Sequence, residues 1–141
     1  MKMMKAITIQ QYWASAIMAG HKGVENRTWG TSYRGPVAIH AGQSISLMSR
    51  QIIQRILGRD VPVDCPRGAL LGVVDLVDVV RFNPHQPLLL DPYDLAGDPF
   101  ATGPVCWILR NPRALAEPIP MRGQLGLFEV ADLLGTAFVA G

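Results

Sequence analysis

The sequence predicts an α+β fold, a small and partly open β-barrel decorated by two or three helices. Short runs of β-forming residues are separated by turn residues, since the 141 residues include 14 glycines and 11 prolines. Stretches with helical spacing of apolar residues are few. Because 49% of the residues are hydrophobic and only 17% are charged, the chain can bury a core without disulfides or metal. We expect a single domain over residues 1–141.

The first half of the chain is predicted to alternate between strands and helices. Residues 4–9 favour a strand, and residues 12–19 favour a short helix that ends at a glycine. Residues 34–41 favour a second strand. Isoleucines and a methionine at helical spacing over 45–56 predict an amphipathic helix packed on the barrel. The outer face of this helix is predicted to carry Arg50, Gln54 and Arg55.

The second half is predicted to supply the central strand and two further strands. The apolar run at 68–80 is long and rich in valine, and Gly72 within it favours the bend by which barrels close. Four prolines in 82–102 indicate a loop, either a functional lid or a disordered insert. Strands are predicted at 104–110 and 125–130.

Charge is distributed unevenly along the chain. Residues 1–59 contain eight basic side chains and one acidic side chain, whereas residues 60–102 contain seven aspartates and two arginines. This asymmetry favours a basic face for a polyanionic partner, with the acidic segment turned away from it. The alternative is that the charges only solvate different faces of the domain.

Cysteine and histidine spacing predicts no metal site. Cys65 and Cys106 lie far apart in sequence, without the short spacing that zinc or redox motifs require. The three histidines are equally scattered, and we expect two reduced thiols. No P-loop, GxGxxG, GxSxG or HExxH pattern is present, and no cofactor is predicted.

The N-terminal residues do not predict export. The apolar stretch after residues 1–5 is interrupted by Gln10 and Gln11 before it reaches the length of a signal peptide core. No run of the sequence reaches transmembrane length. We therefore expect a cytoplasmic protein without a membrane partner.

Four regions of the sequence occur in an order typical of one family. They are ITIQQYWA at 7–14, GHKGVENR at 20–27, RGPVAI at 34–39, and GPVCW at 103–107 with GLF at 126–128. Together they resemble the activating signal cointegrator homology (ASCH) family, relatives of the PUA, EVE and YTH modules. The second region matches the family's GxKxxExR pattern and is the most specific. The resemblance implies a PUA-like β-barrel.

Two positions depart from the family's usual pattern. Tyr12 stands where cointegrator-type sequences have proline in Gln-Pro-Trp, and Phe128 stands where tryptophan often follows the late Gly-Leu. Neither change argues against the fold. Tyr12 is expected to alter the entrance of the pocket.

Lys22, Glu25 and Arg27 form the candidate site that the sequence favours. If the chain is extended after Gly23, Glu25 and Arg27 share one face and Asn26 takes the other. A carboxylate between two cations is suited to contacts with phosphates or base edges. The alternative is that these side chains only pair with neighbours or cap the helix.

Aromatic side chains flank this cluster in sequence and could stack a base. Trp13 is also expected in the core, because it begins an amphipathic helix. The candidate nucleic-acid-binding residues are Trp13, Lys22, Glu25, Asn26, Arg27, Trp29, Tyr33 and Arg34.

Binding of nucleic acid is the first of three functions that these residues favour. The basic half would hold phosphates, the aromatic rings would stack a base, and Lys22 with Arg27 would set the register. The family resemblance implies the same class of partner, an RNA or a nucleoside. DNA is an alternative, because the geometry of the pocket decides whether a 2′-hydroxyl is read.

Hydrolysis of RNA or of a modified nucleoside is the second function. Some relatives in the family are amidohydrolases of acetylated cytidine, and others have been linked to RNA cleavage. Lys22 would be the activated group and Glu25 the proton acceptor, although that amidohydrolase branch has threonine at the position of Glu25. Asp75 and Asp78 are candidates for a further carboxylate. His40 could act as an acid or base, but a packed histidine is the favoured interpretation.

A structural or protein-interaction domain is the third function. The proline-rich segment 82–102 would then be a docking loop. Residues 137–139 are either a frayed tail or an apolar edge that pairs with another chain. The oligomeric state is left open by the sequence.

Overall fold

Six strands and two α-helices form the described part of the chain, residues 2–140 of a computed structural model. The elements are β1 (Met3–Gln11), α1 (Trp13–Met18), β2 (Val24–Arg27), β3 (Gly35–Ile45), α2 (Leu47–Leu57), β4 (Ala69–Arg81), β5 (Val105–Pro120) and β6 (Leu127–Ala131). A single 3-10 turn occupies Leu95–Gly97. The α+β class with two helices is therefore confirmed. No helix in residues 2–140 has the length and apolar character needed to cross a membrane.

The strands form one curled sheet in the order β2-β5-β4-β3-β1-β6. Strands β1 and β3 are parallel, and the other neighbouring pairs are antiparallel. The main core lies on one face of the sheet and includes Ile7, Ile39, Val74 and Trp107. A second buried cluster, which includes Ala6, Ala38 and Leu115, lies on the other face. The strand ladders do not close into a complete barrel, and β2 and β6 are the edges of the sheet.

The chain after β6 spans part of this opening. Phe138 forms an isolated bridge with Leu115 of β5, and the amide of Val139 donates to the carbonyl of Ala114 at 2.7 Å. Because β6 is one edge of the sheet, this contact requires the sheet to curl until its opposite ends approach. Residues 137–139 are thus neither frayed nor free to add to another sheet, since they contact β5 of the same chain.

Gly72 lies where β4 bends, as the sequence predicts. The pairing of β4 with β5 changes register between Leu70 and Gly72. A Cβ atom on Gly72 would lie 2.3 Å from the carbonyl oxygen of Arg113 and 2.4 Å from Cε of Met18. The backbone of β5 and the side chain of Met18 on α1 therefore lie so close to Gly72 that no larger residue fits at this position.

Replacing Gly72 by alanine is expected to lower the free energy of unfolding by about 1–3 kcal/mol, because the added methyl group meets the backbone of Arg113 and Ala114 as well as the side chain of Met18. Urea denaturation followed by circular dichroism measures the change. Gly135→Ala is the matched control, since a Cβ there would meet nothing within 4 Å. Equal stability of the two variants would show that β4 and β5 can separate without cost.

Helix α2 buries Ile53 and exposes Arg55 as predicted, but Arg50, Gln54 and Met48 are placed differently from the prediction. Gln54 accepts a hydrogen bond from the amide of Val61 at 3.1 Å, and Arg50 donates to the carbonyl of Val61 at 2.8 Å. These two residues, predicted to be outermost, instead face segment 59–66, which folds back along the helix. Met48, predicted to face the barrel, is 68% exposed.

Segment 82–102 is packed, although it contains no strand. Phe82, Leu95 and Ala101 are buried in a cluster with Val24 of β2 and Ile108 of β5. The interpretation as a disordered insert is therefore wrong. The segment covers the outer side of β2 and ends beside the helices, where Phe100 is buried.

Strand β5 is longer than predicted. It continues from Val105 to Pro120, although Pro112 and Pro118 lie within it. Asn111 has a φ of 54°, and the register with β4 shifts beside it. This local irregularity lets the strand pass a proline that cannot donate to the ladder.

Candidate nucleic-acid interface

Three adjoining hollows form one cleft along the open side of the sheet. The central chamber, of about 510 Å³, is lined by side chains that include Thr8, Trp13, Glu25, Arg27 and Gln43. It shares Trp13 and Glu25 with a hollow of about 350 Å³, the Phe100 slot, which also contains Lys22 and Phe100. On its other side it shares Thr8 and Gln43 with a hollow of about 620 Å³, the His40 chamber.

Glu25 lies between two cations in the central chamber. The ammonium group of Lys22 donates to Oε1 of Glu25 at 2.9 Å, and Nε of Arg27 lies 3.1 Å from Oε2. Lys22 also donates to the carbonyl of Val24. The exposed fractions are only 3% for Lys22 and 8% for Glu25. The GxKxxExR pattern thus produces a buried row of charges, as the extended conformation of β2 predicts.

Arg27 connects β2 to β1 across the open side. Its Nη2 donates to the carbonyl of Thr8 at 2.7 Å. Its Nε is close to Glu25, but the N–H is not aligned for a hydrogen bond with any acceptor in residues 2–140. The contact with Glu25 is therefore electrostatic, and the hydrogen bond to Thr8 sets the position of the guanidinium.

Trp13 forms an aromatic wall shared by two of the hollows. Nζ of Lys22 lies 5.5 Å from the centroid of its ring, within the range of a cation–π contact. The ring of Phe100 meets it edge-on, with centroids 6.4 Å apart. Trp13 is only half-buried, so it both packs against the core and faces the cleft.

Asn26 faces away from Glu25, as the alternation of a strand predicts. Its Nδ2 donates to the carbonyl of Phe100 at 2.8 Å. Its Oδ1 accepts from the amides of Thr102 and Gly103 at 2.9 and 3.0 Å. Asn26 therefore ties segment 82–102 to β2 and sets the position of Phe100 in the slot.

Three predicted site residues lie apart from the cleft. The ring of Trp29 meets Trp107 edge-on at 4.9 Å, and the hydroxyl of Tyr33 donates to the carbonyl of Pro36 at 2.6 Å. Arg34 lies 3.5 Å from Asp78. Trp29, Tyr33 and Arg34 line none of the three hollows, because these contacts hold them along the connection from β2 to β3.

The candidate carboxylates on β4 also lie outside the cleft. Asp75 pairs with Arg113 at 3.0 Å, and Asp78 accepts a hydrogen bond from the hydroxyl of Tyr93 at 2.8 Å. The hydrogen bond from Tyr93 lowers the pKa of Asp78 below its usual value. Neither carboxylate lines a hollow that contains Lys22 or Glu25.

His40 lies in the cleft, within the His40 chamber. Its Nε2 is 2.8 Å from the carbonyl oxygen of Met121, and its Nδ1 is 3.1 Å from Oγ1 of Thr8. A carbonyl only accepts, so Nε2 carries a hydrogen and Nδ1 of the neutral ring accepts from the threonine hydroxyl. The ring is 1% exposed, which agrees with the interpretation of a packed histidine.

Part of the basic surplus of residues 1–59 is neutralised by ion pairs. Lys2 lies 3.8 Å from Asp132, and Lys5 lies 2.5 Å from Glu129. The pair between Arg34 and Asp78 joins the basic and acidic segments directly, so these segments are not fully separated. In residues 2–140, no group of three His, Cys, Asp or Glu side chains is placed to hold a metal ion.

Residues 7–90 match the ASCH domain family. The chain belongs to the ASCH family. Human and mouse activating signal cointegrator 1 are each 33% identical to it over 126 residues, which cover 83% of the chain. The match covers 20% of each relative, so the chain corresponds to about a fifth of their length. The crystal structure of ASCH from Zymomonas mobilis has a TM-score of 0.54 at 16% identity and covers 89% of this chain and 86% of that one, which supports the fold.

Tyr12 does not shape the entrance of the cleft in this ASCH domain, contrary to the expectation from sequence. It is 1% exposed, and its hydroxyl donates to the carbonyl of Val63 at 2.8 Å. Its amide donates to Oγ of Ser49 on α2 at 2.8 Å. Tyr12 therefore joins β1 to α2 and segment 59–66, and it lines none of the three hollows.

Sequence reasoning missed several residues that line the cleft of the ASCH domain. Thr8 follows the alternation of β1, in which Ile7 and Ile9 face the core, and this pattern could have placed Thr8 on the cleft side. Gln43 lies in the last part of β3, beyond the predicted end of that strand. Phe100 has no local signal, because long-range packing beside the helices and a hydrogen bond from Asn26 bring it beside Trp13.

Proposed function

We propose that this ASCH domain binds single-stranded RNA in the cleft. One observation carries the proposal: an aromatic wall, Trp13, and the charged row of Lys22, Glu25 and Arg27 converge in the same cleft. Unstacked bases are held in proteins by aromatic faces and by hydrogen bonds to their edges. The family membership supports the same class of ligand.

Trp13 supplies the stacking surface in this proposal. A base in the central chamber meets the indole ring on one side, and Glu25 and Arg27 present an acceptor and a donor to its edge. Base–aromatic stacking contributes about 1–3 kcal/mol per base and tolerates different sequences. Lys22 acts indirectly, because it is buried and holds Glu25 in place.

Hydrolysis has less support than binding. The amine of Lys22 is engaged with two oxygen acceptors, those of Val24 and Glu25. The carboxylates of Asp75 and Asp78 pair elsewhere and do not face this amine. The residues around Lys22 thus favour a role in positioning Glu25 over a role in attacking a substrate.

Replacing Gln43 by glutamate is expected to weaken binding of a short single-stranded RNA about tenfold at low salt, because the new carboxylate repels phosphates. Gln43 is exposed and lines both the central chamber and the His40 chamber. The change in tryptophan fluorescence on titration with a mixed-sequence RNA measures the affinity. Trp13→Phe is expected to remove most of that change.

Gln51→Glu is the matched control, because Gln51 is exposed on α2 and lines none of the three hollows. An equal loss of affinity in both variants would show that net charge alone attracts the RNA. Absence of binding by the unmodified protein at low salt would overturn the proposal. Equal affinity for single-stranded DNA of the same sequence would remove the preference for RNA.

A further inference from the structure

The His40 chamber has the composition of an anion site. No carboxylate lines it, and its one charged side chain is the exposed guanidinium of Arg122. Arg122 forms no ion pair with any residue in the described range 2–140. An arginine that is not neutralised by a protein carboxylate is available to a phosphate oxygen.

The loop between β5 and β6 adds further donors to this chamber. Within residues 2–140, the amides of 122–126 donate no hydrogen bond to another protein group. A Cβ on Gly123 would lie 2.4 Å from Oγ1 of Thr8 and 2.8 Å from Nδ1 of His40. The backbone therefore passes directly over these two side chains, at a distance that only glycine allows.

Thr8 belongs to both the His40 chamber and the central chamber. Its carbonyl accepts from Arg27 at 2.7 Å, and its hydroxyl is 3.1 Å from Nδ1 of His40. Gln43 also lines both chambers. The two chambers are thus separated by a single residue of β1 and are close enough for one chain of linked nucleotides to enter both.

We propose that the His40 chamber is a phosphate subsite for the nucleotide next to the base held at Trp13. The inference rests on the proposed function, and it specifies the ligand as an oligonucleotide of at least two linked nucleotides, not a free nucleoside. Arg122 and the backbone amides of 122–125 bind the phosphodiester. The side chains of Thr8 and His40 lie directly against the loop at Gly123.

Titrations with the four nucleosides, the four homodinucleotides and inorganic phosphate at matched ionic strength test this inference. We expect the best dinucleotide to bind about tenfold more tightly than its nucleoside, because it adds a charged contact. Arg122→Gln is expected to remove most of this advantage and to leave nucleoside affinity unchanged. Gly123→Ala is also expected to reduce the advantage of the dinucleotide over the nucleoside, because the added methyl group would meet Thr8 and His40 and displace the loop.

Arg67→Gln is the matched control, since Arg67 is exposed and lines none of the three hollows. Equal binding of nucleoside and dinucleotide, unaffected by Arg122→Gln, would overturn the subsite while the base site at Trp13 stood. Inorganic phosphate that weakens nucleoside and dinucleotide binding equally at constant ionic strength would also overturn it, because the phosphate would then not compete for a site that only the dinucleotide fills. Failure of nucleosides, dinucleotides and longer RNA to bind would remove the proposed function itself.

Discussion

Replacing Glu25 by alanine is expected to lower the free energy of unfolding by about 3–5 kcal/mol, the usual effect of removing one partner from a buried ion pair. Lys22 and Arg27 would face each other without the carboxylate that now lies 2.9 and 3.1 Å from them. Lys22 is 3% exposed, so water cannot replace the lost partner without a local rearrangement. Urea denaturation followed by circular dichroism measures the loss.

Glu129→Ala is the matched control for this experiment. Glu129 also pairs with a lysine, Lys5, but both side chains are substantially exposed. An exposed pair contributes about 0–1 kcal/mol, so this variant is expected to unfold near the midpoint of the unmodified protein. A loss in Glu25→Ala no larger than that in Glu129→Ala would contradict the role of Glu25 as the centre of a buried charge row.

Replacing Asn26 by alanine is expected to cost about 2–4 kcal/mol, because three hydrogen bonds to backbone groups are lost together. These bonds hold the carbonyl of Phe100 and the amides of Thr102 and Gly103 against β2. The effect is expected to be local at first. Hydrogen exchange should accelerate at the Thr102 and Gly103 amides more than at the amides of β4, where the ladder is intact.

Asn83→Ala provides the comparison for this prediction. The side chain of Asn83 accepts one hydrogen bond within the described residues, from the amide of His85 at 2.9 Å, at an exposed turn of the same segment. Its removal is expected to change stability by less than about 1 kcal/mol. If both variants leave exchange at Thr102 and Gly103 unchanged, segment 82–102 is held by its apolar contacts alone.

The cluster at 22–27 could be predicted from sequence because its geometry is local. A strand places residues two apart on the same side, so Glu25 and Arg27 meet wherever β2 is extended. Lys22 reaches Glu25 from the turn just before the strand. The strand at 4–9 and the central strand at 68–80 could also be predicted from sequence, because runs of apolar and β-branched residues strongly favour β-strands.

The rest of the candidate site depends on contacts between distant parts of the chain. Nearness in sequence to Arg27 wrongly indicated that Trp29 and Tyr33 lie near the cleft, whereas their partners Trp107 and Pro36 hold them outside it. Phe100 lies beside Trp13 because its ring packs with Tyr12 and because Asn26 binds its carbonyl. Such placements follow from the tertiary packing of the sheet and carry no periodic signal in the sequence.

The contacts of Arg50 and Gln54 on α2 have the same origin. The isoleucines of α2 predict its apolar face, and Ile53 is buried there. Arg50 and Gln54 bind the backbone of Val61 because segment 59–66 folds back along the helix, and this loop is not encoded in the periodicity of the helix itself. The sequence therefore predicted the helix and its buried face, but not these polar contacts.

Phe100 lies in a segment that shapes the Phe100 slot but contributes no strand to the sheet. One wall of the slot beside Trp13 comes from segment 82–102, which contributes no strand, whereas the opposite wall comes from β2 and α1. Substitutions or length changes in this segment can thus reshape the slot while the register of all six strands is kept. Ligand preference in such an arrangement can change through substitutions in this segment, without a matching change in the residues that form the strands.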